Sequence, residues 1–274
     1  MTNQSNIRKA RVAGQFYPDN PKALLDLISS FKFKAAQKHD VLGCLLPHAG
    51  YIYSGKVAAQ TIAGVNIKDT VVLLGPNHSG NGPDFSLMPQ GYWQTPLGNV
   101  EVDSRLANLF LSSSQYLKAD TFAHIDEHSL EVELPILQYF RKDFKIVPIT
   151  IKAQALDLLK TVADQLADVI IKHDLARSSM FICSSDMTHY EPQRIAERKD
   201  SLAIEAMLAL DEDKLEAVVR KSDISMCGFA PAVVLLRVCR ILGAKNGKLV
   251  KYQTSGDASG DISSVVGYAG ITIS

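Results

Sequence analysis

The sequence predicts an α/β protein, built as one domain with a mainly parallel or mixed central sheet and helices on both faces. Apolar runs of strand length, such as 41–46 and 69–75, are bounded by glycine and proline. Runs of this kind are typical of strands buried on both faces of a parallel sheet. Segments such as 156–171 repeat apolar residues at three and four positions, which predicts helices. The alternation of the two kinds of segment favours a mainly parallel sheet.

Composition and charge bound the class of protein. The 274 residues are 46% hydrophobic and 21% charged, which suits a single domain spanning residues 1–274. The 29 lysines and arginines balance the 29 aspartates and glutamates, so we expect neither nucleic acid nor a membrane surface as a partner. No apolar run approaches the roughly 18 to 20 residues of a membrane span, and the N-terminus lacks the apolar core of a signal peptide. We therefore expect a cytoplasmic protein, and the sequence leaves its oligomeric state open.

In the first half of the chain, turn residues mark where helices and strands begin. Asn20 and Pro21 predict the start of a helix that runs to about residue 33. Ser54 is predicted to begin a helix that ends at Gly64. Beyond the two apolar strands, we predict a short strand over 84–89, a loop over 92–98, and a helix over 104–111 capped by Asp103.

In the second half, an acidic segment precedes a regular alternation of strands and helices. Residues 126–133 are predicted to open a helix, because acidic residues in a first turn suit the positive end of the helix dipole. Pro135 predicts a kink or an early restart of that helix. The remaining predicted elements are strands over 145–151, 179–184, 248–254 and 264–273, and helices over 156–171, 194–210, 212–221 and 232–242.

His48 and His78 follow the first two apolar strands. In open α/β sheets, ligands bind outside the carboxyl ends of the strands, which is where both imidazoles are expected. A lone histidine after a strand is more often a loop residue or a hydrogen-bonded structural residue. Their matched positions at two strand ends favour a transition-metal site, since neutral imidazole is a common metal ligand.

Two further groups of polar residues are candidates for the same site. Asp186 and His189 follow a third apolar strand and form an Asp-x-x-His pair. Such a pair can supply a metal ligand or a carboxylate and imidazole for proton transfer, unless Asp186 only caps the next helix. His128 lies in the acidic segment and is the residue that favours a functional role for this segment over a simple solvated helix start.

The four cysteines divide into two kinds. Cys44, Cys183 and Cys239 lie inside apolar segments, where thiols behave as small hydrophobic groups, and no CxxC spacing suggests a zinc ribbon or redox motif. Cys227 precedes a predicted helix N-terminus, where the helix dipole lowers the pKa of a thiol and favours the thiolate. A thiolate ligates metals or attacks electrophiles, and a structural role for Cys227 remains equally open.

Five separated motifs occur in the order and spacing of the Memo family, which the chain resembles from about residue 11 onward. They are Pro47-His-Ala-Gly-Tyr51 with Tyr53 and Gly55, Gly75-Pro-Asn-His78, Asp126-Glu-His-Ser-Leu-Glu131 with Leu134-Pro135, Ser184-Ser-Asp186 with His189, and Cys227-Gly with Pro231. In bacteria and archaea the family is also called AmmeMemoRadiSam system protein B. The resemblance implies a fold like that of the class III extradiol dioxygenases.

The resemblance also implies a site and a chemistry. His48, His78 and Cys227 would be the metal ligands, with Asp186 and His189 as pocket residues beside them. Our own hypothesis adds His128 to Asp186 and His189 around an open coordination position. The dioxygenases use two histidines and a glutamate, so Cys227 departs from their ligand set. Animal members are linked to phosphotyrosine peptides and to metal-dependent redox chemistry, of which we expect only the second here.

Three functional hypotheses follow. The first is a metal-dependent oxidoreductase with a mononuclear iron or copper site, zinc being a further option. The second is a non-catalytic module that binds a peptide or small molecule on the same fold. The third is a hydrolase that uses a metal-bound water.

Overall fold

The computed structural model describes residues 7–33 and 37–274, and within them twelve strands form one mixed sheet. The strands are β1 (Ile7–Arg8), β2 (Gly43–Leu46), β3 (Thr70–Pro76), β4 (Phe85–Leu87), β5 (Tyr92–Thr95), β6 (Gly98–Val102), β7 (Lys118–Ala119), β8 (Lys145–Ile151), β9 (Ser179–Ser184), β10 (His189–Glu191), β11 (Gly247–Thr254) and β12 (Val265–Ile273). The helices are α1 (Pro21–Ser30), α2 (Gly55–Ala63), α3 (Ser104–Ser113), α4 (Phe122–Ile125), α5 (Glu133–Phe140), α6 (Leu156–Lys172), α7 (Gln193–Leu208), α8 (Glu212–Lys221), α9 (Phe229–Ile241) and α10 (Gly256–Ser259).

The centre of the sheet is parallel and its margins are mixed, since β1 is parallel to β5 and β7 to β4 whereas other marginal pairs are antiparallel. The main strand order is β1-β5-β6-β8-β3-β9-β2-β12-β10, and the five strands from β6 to β2 in this order are parallel neighbours. β12 is antiparallel to β2, β10 and β11, while β4 is antiparallel to β8. The predicted α/β class is therefore confirmed in its mixed form.

Apolar layers cover both faces of the sheet. Along β3, Val71 and Leu73 belong to one core cluster, which also contains residues of α1, α2 and α5. Val72 and Leu74 alternate with them and belong to the other cluster, with residues of α6 and α9. Complete burial of a side chain of this size stabilises a fold by about 1.5–3 kcal/mol. This two-sided burial is the reason why the strand reads as a continuous apolar run.

Most predicted helices are present, with ends that follow their capping residues. Asn20 and Asp103 cap α1 and α3, since their side chains accept hydrogen bonds from Ala23 N and Leu106 N at 3.0 Å. α9 begins three residues earlier than predicted and holds Pro231 in its first turn, where a missing backbone N–H costs nothing. Within the described part of the chain, no helix combines the length and apolar character needed to cross a bilayer.

The predicted loop over residues 92–98 is wrong. These residues form β5, the hairpin turn and the start of β6, with Thr95 opposite Gly98 across a two-residue turn. In β5, Trp93 and Thr95 are buried whereas their neighbours are exposed, which is the period of two expected for a half-buried strand. Gly98 has a φ of +119°, a conformation that favours glycine. Pro96 therefore lies in the hairpin turn, and Gly98 is the first residue of β6.

The acidic segment does not open a helix as predicted. Residues 126–132 form the loop between α4 and α5, and α5 begins at Glu133, so Pro135 lies in its first turn rather than in the interior of a longer helix. Glu127, Glu131 and Glu133 are all 0% exposed. Buried carboxyl groups require specific partners, so a favourable helix dipole does not explain this segment.

Candidate metal centre

Three adjacent strands bring three polar side chains to one edge of the sheet. β9 lies between β3 and β2 and is parallel to both, so their carboxyl ends meet. His48, His78 and Asp186 each stand two residues beyond the last residue of their strand. The predicted placement of these residues at strand ends is confirmed.

Cys227 reaches the same point from the loop before α9. Its Sγ lies 3.4 Å from His48 Nε2 and 3.3 Å from the backbone nitrogen of Asp186. The next residue, Gly228, allows this approach, because a Cβ there would stand 2.3 Å from Ser185 Cβ. One ring nitrogen of His48, one of His78 and the Cys227 sulfur all lie within 4.8 Å of one another. The structure thus brings together the three predicted ligands.

His78 is supported by Glu127. Glu127 Oε1 lies 2.9 Å from His78 Nδ1, and Oε2 accepts the backbone N–H of His78 at 2.5 Å. Burial works against ionisation of Glu127, but the hydrogen bond and charge of His78 outweigh it and lower the pKa to about 2. An ionised carboxylate only accepts, so this contact assigns the proton of His78 to Nδ1. In the neutral form of His78, which metal binding requires, Nε2 carries the lone pair that can coordinate a metal.

His48 is supported by a serine. His48 Nδ1 lies 2.8 Å from Ser184 Oγ, which also lies 2.7 Å from the carbonyl oxygen of Ser129. That carbonyl can only accept, so it takes the serine hydrogen and His48 Nδ1–H donates to the serine oxygen. Burial, together with the neighbouring His128 and His78, lowers the pKa of His48 well below its usual range. His48 is therefore neutral with a free Nε2, the form that binds metals.

His128 belongs to a second group of potential ligands, which it forms with His78 and Glu127. Its ring stacks on that of His78, with centroids 4.7 Å apart, and its Nδ1 lies 3.6 Å from Glu127 Oε1. Burial lowers the pKa of His128. The oxygens of Glu127 are already bonded to His78 and to the backbone nitrogen of Ser129. This group is better explained as a hydrogen-bonded support for His78 than as a separate ligand set.

Asp186 and His189 lie beside the three converging ligand atoms. Asp186 Oδ1 accepts the backbone N–H of His48 at 2.8 Å, and burial raises the pKa of Asp186 to about 7. His189 stands in β10, with Nδ1 2.9 Å from the carbonyl oxygen of Ser225. Both line the cleft above the site, and their functional roles stay predictions.

The predicted lowering of the Cys227 pKa is wrong for the protein chain alone. Burial, reinforced by the charge of Asp186, raises the pKa of the Cys227 thiol to about 12. These effects exceed the influence of the α9 N-terminus. Without a bound cation, Cys227 is thus a protonated thiol and a poor nucleophile, whereas a coordinated metal deprotonates a thiol. The other three cysteines are buried and free, as predicted.

A cleft of about 410 Å³ opens onto the site. Four histidines line it, together with the aromatic rings of Phe16, Tyr53, Tyr190 and Tyr268; the histidines are His48, His78, His128 and His189. None of the described lining residues is a lysine or an arginine. The cleft therefore combines polar groups at its base with aromatic walls that carry no fixed positive charge.

Glu131, a residue of the acidic segment, anchors the N-terminal strand and the loop after it. Its carboxylate pairs with Arg8 at 2.5 Å and accepts the Tyr17 hydroxyl at 2.6 Å. It also accepts the backbone N–H groups of Arg11 and Val12. This loop carries Phe16, whose ring centroid lies 5.0 Å from that of His128.

Ser184, Glu127 and Glu131 are functional supports that the sequence reasoning missed. One signal was present for Glu131, though not for Glu127: from position 130 onward, apolar and acidic residues alternate and lead directly into the apolar run 134–137. Carboxylates embedded in apolar sequence are expected to be buried with partners. Ser184 carried no comparable signal.

Comparisons with known proteins show the family and the fold. A family model described as Memo-like protein matches residues 8–272. MEMO1 family proteins of Nitrosopumilus maritimus and Methanosarcina acetivorans are 40% and 42% identical to the chain, each over 97% of it and 98% and 99% of their own length. An uncharacterised protein of Escherichia coli K12 shares the fold, with a TM-score of 0.54 and 13% identity over 85% of this chain and 99% of its own. The chain belongs to the Memo family.

Proposed function

We propose that the protein binds one metal ion through His48, His78 and Cys227 and uses it as an oxidoreductase related to the non-haem iron dioxygenases. The observation that carries the proposal is the convergence of the three ligand atoms within 4.8 Å. A further support is that Nδ1 of each histidine is already hydrogen-bonded, which leaves Nε2 of both rings available. Ligand orientation by such partners is the usual arrangement of metal-binding histidines.

Iron or copper is the proposed metal, and zinc is compatible with the same donors. Two neutral imidazoles suit all three, while a thiolate is a soft donor that favours copper(I) and zinc. Bound iron or copper would supply one-electron chemistry at this position. The chain supplies one thiolate when the Cys227 proton is released. It supplies a second negative charge through the ionised Glu127, which is hydrogen-bonded to Nδ1 of His78.

Asp186 is proposed to hold or accept a proton during the reaction. Because burial raises its pKa to about 7, its protonated and ionised forms are both populated near neutral pH. It lines the cleft and accepts a hydrogen bond from the backbone of His48. His189 and His128 stand on the cleft walls and are proposed to contact the ligand.

The proposed substrate is a small molecule without a strongly acidic group. The described walls of the cleft contain aromatic rings and no lysine or arginine, so a phosphate ester would find no cationic partner there. The resident imidazoles and tyrosines suit hydroxyl or carbonyl groups instead.

A second candidate is a binding module without turnover. Ile52 and Tyr190 line the cleft mouth although they are 68% and 78% exposed. Exposed apolar side chains at a cleft favour a site that binds a peptide or small molecule. Such a module would retain its ligand in the metal-free state.

The first experiment is elemental analysis of protein purified without chelators or metal-affinity resin. We expect close to one equivalent of iron or copper. Zinc as the sole metal would favour the hydrolase hypothesis, and absence of binding after anaerobic exposure to Fe(II), Cu(I) and Zn(II) would contradict the proposal. A metabolite screen with loaded and chelated protein then separates the candidates. Metal-dependent consumption of a compound indicates an enzyme, whereas metal-independent retention indicates a binding module.

A further inference from the structure

Glu133 is a fully buried carboxyl group close to the proposed site. It opens α5, is 0% exposed, and has one hydrogen-bond partner for Oε1, the hydroxyl of Ser184 at 2.8 Å. Its Oε2 has no partner among the described residues. The charged group that influences it most is Asp186, another carboxyl, and no described cation acts on it. An isolated ionised carboxylate in this environment would carry a large desolvation penalty.

The hydrogen bonds of Ser184 indicate the form of Glu133. The serine oxygen has one hydrogen to donate and two lone pairs with which to accept. Its three neighbours are the carbonyl oxygen of Ser129 at 2.7 Å, His48 Nδ1 at 2.8 Å and Glu133 Oε1 at 2.8 Å. The carbonyl takes the single hydrogen, so the other two neighbours must both donate. Glu133 can donate only as a carboxylic acid.

Glu127 shows what an ionised carboxylate requires in the same region. It accepts the Nδ1–H of His78 and two backbone N–H groups. In the described ranges 7–33 and 37–274, no N–H group donates to Glu133. The titratable groups that interact with it electrostatically are Asp186, the thiols of Cys44 and Cys183, and the Tyr51 hydroxyl. Burial raises the pKa of Glu133 well above its usual range, and the charge of Asp186 reinforces this effect.

We propose that Glu133 is a neutral carboxylic acid in the folded protein at neutral pH and that it is a positioning residue for His48, acting through Ser184. Its proton occupies the second lone pair of the serine oxygen, which leaves the serine one acceptor position, directed at His48 Nδ1–H. The ring is thereby held with Nε2 toward Cys227. The positioning role rests on the proposed function, because His48 is a ligand only if the site binds metal. The neutral state of Glu133 does not depend on it.

The neutral state is tested in metal-free protein kept in chelator. Urea unfolding of wild type and Glu133→Gln is compared from about pH 5 to pH 8. If Glu133 is neutral when folded and ionised when unfolded, wild type takes up one proton on folding, so its stability falls as pH rises through this window. Relative to Glu133→Gln, the wild-type folding constant should fall by up to about tenfold per pH unit. If the stability of wild type and of Glu133→Gln changes equally with pH, the neutral state of Glu133 is wrong. Glu133→Leu replaces the glutamine variant in this comparison if Glu133→Gln does not fold.

The positioning role is tested by ¹⁵N NMR of the His48 ring in the same metal-free proteins and by metal titration. Glutamine offers an N–H donor in place of the acid, so Glu133→Gln should keep the wild-type ring pattern and stay within about threefold in metal affinity. Glu133→Leu removes the donor and should shift the His48 signals and weaken binding more. Wild-type ring signals in Glu133→Leu would overturn the positioning role. Failure of wild type to bind metal would instead contradict the proposed function and leave the pH result intact.

Discussion

The two histidines of the proposed metal site occupy matching positions but have different supports. Nδ1 of His78 is hydrogen-bonded to an ionised carboxylate, Glu127, whereas Nδ1 of His48 is hydrogen-bonded to a neutral hydroxyl, Ser184. The His78 side chain is 35% exposed, while His48 is 2% exposed. A carboxylate behind an imidazole makes the ring a stronger donor to a metal, and a hydroxyl does so less. Equivalent positions at two strand ends therefore yield two ligands of unequal strength.

The largest effect is expected when either ring is removed, because each supplies a ligand atom whatever supports it. His48→Ala and His78→Ala should each lose most bound metal and keep the wild-type circular dichroism spectrum. Elemental analysis measures the loss. The matched control is His173→Ala, since His173 caps α6 away from the site and its removal should leave metal content unchanged. Full occupancy in both site variants would place the metal elsewhere.

Removing the charge behind His78 should have the next largest effect. Glu127→Gln keeps the shape but loses the negative charge, and loss of such a partner costs about 10- to 100-fold in metal affinity. Anaerobic competition titration measures the change. An affinity within twofold of wild type would mean that the carboxylate does not strengthen His78.

Removing the hydroxyl behind His48 should matter less. Ser184→Ala deletes a neutral hydrogen bond, worth about 0.5–1.5 kcal/mol, so metal affinity should fall by roughly two- to tenfold. The same titration allows a direct comparison with Glu127→Gln. If Ser184→Ala is the more damaging of the two, the proposed inequality between the supports is reversed.

The smallest effect is expected from Asp186→Asn, and it should depend on pH. Burial raises the pKa of Asp186 to about 7, so the wild-type carboxyl is protonated below that pH and ionised above it. A negative charge beside the site attracts a cation, so wild-type affinity should rise with pH through about 7. Asparagine still accepts the His48 backbone N–H but has no charge, so its affinity should rise less between about pH 6 and pH 8. If metal affinity changes equally with pH in wild type and in Asp186→Asn, Asp186 does not influence metal binding.

The position of the site was predictable from the sequence, but its supports were not. Apolar runs flanked by glycine and proline predicted β2, β3 and β9, and with them the places of His48, His78 and Asp186. The supports come from distant segments: Glu127 is 49 residues from His78, and Ser184 is 136 residues from His48. Local sequence patterns contain no information on such contacts.

The tertiary environment also explains why the sequence-based predictions for Cys227 and for the acidic segment were wrong. The dipole of α9 is a local property, and it predicted a lowered pKa for Cys227. Burial and the neighbouring Asp186 are tertiary effects, and they raise that pKa instead. In the same way, the acidic segment resembled a helix start by composition, whereas its glutamates are buried by contacts with distant residues such as Arg8 and Ser184.

The most direct test of the proposed ligand set is X-ray absorption at the metal edge of the iron- or copper-loaded protein. We predict scattering from two imidazole rings and one sulfur atom in wild type. Cys227→Ser should lose the sulfur and keep both imidazoles. A wild-type spectrum without sulfur, or one in which the sulfur signal persists in Cys227→Ser, would contradict coordination by Cys227 and with it the proposed site.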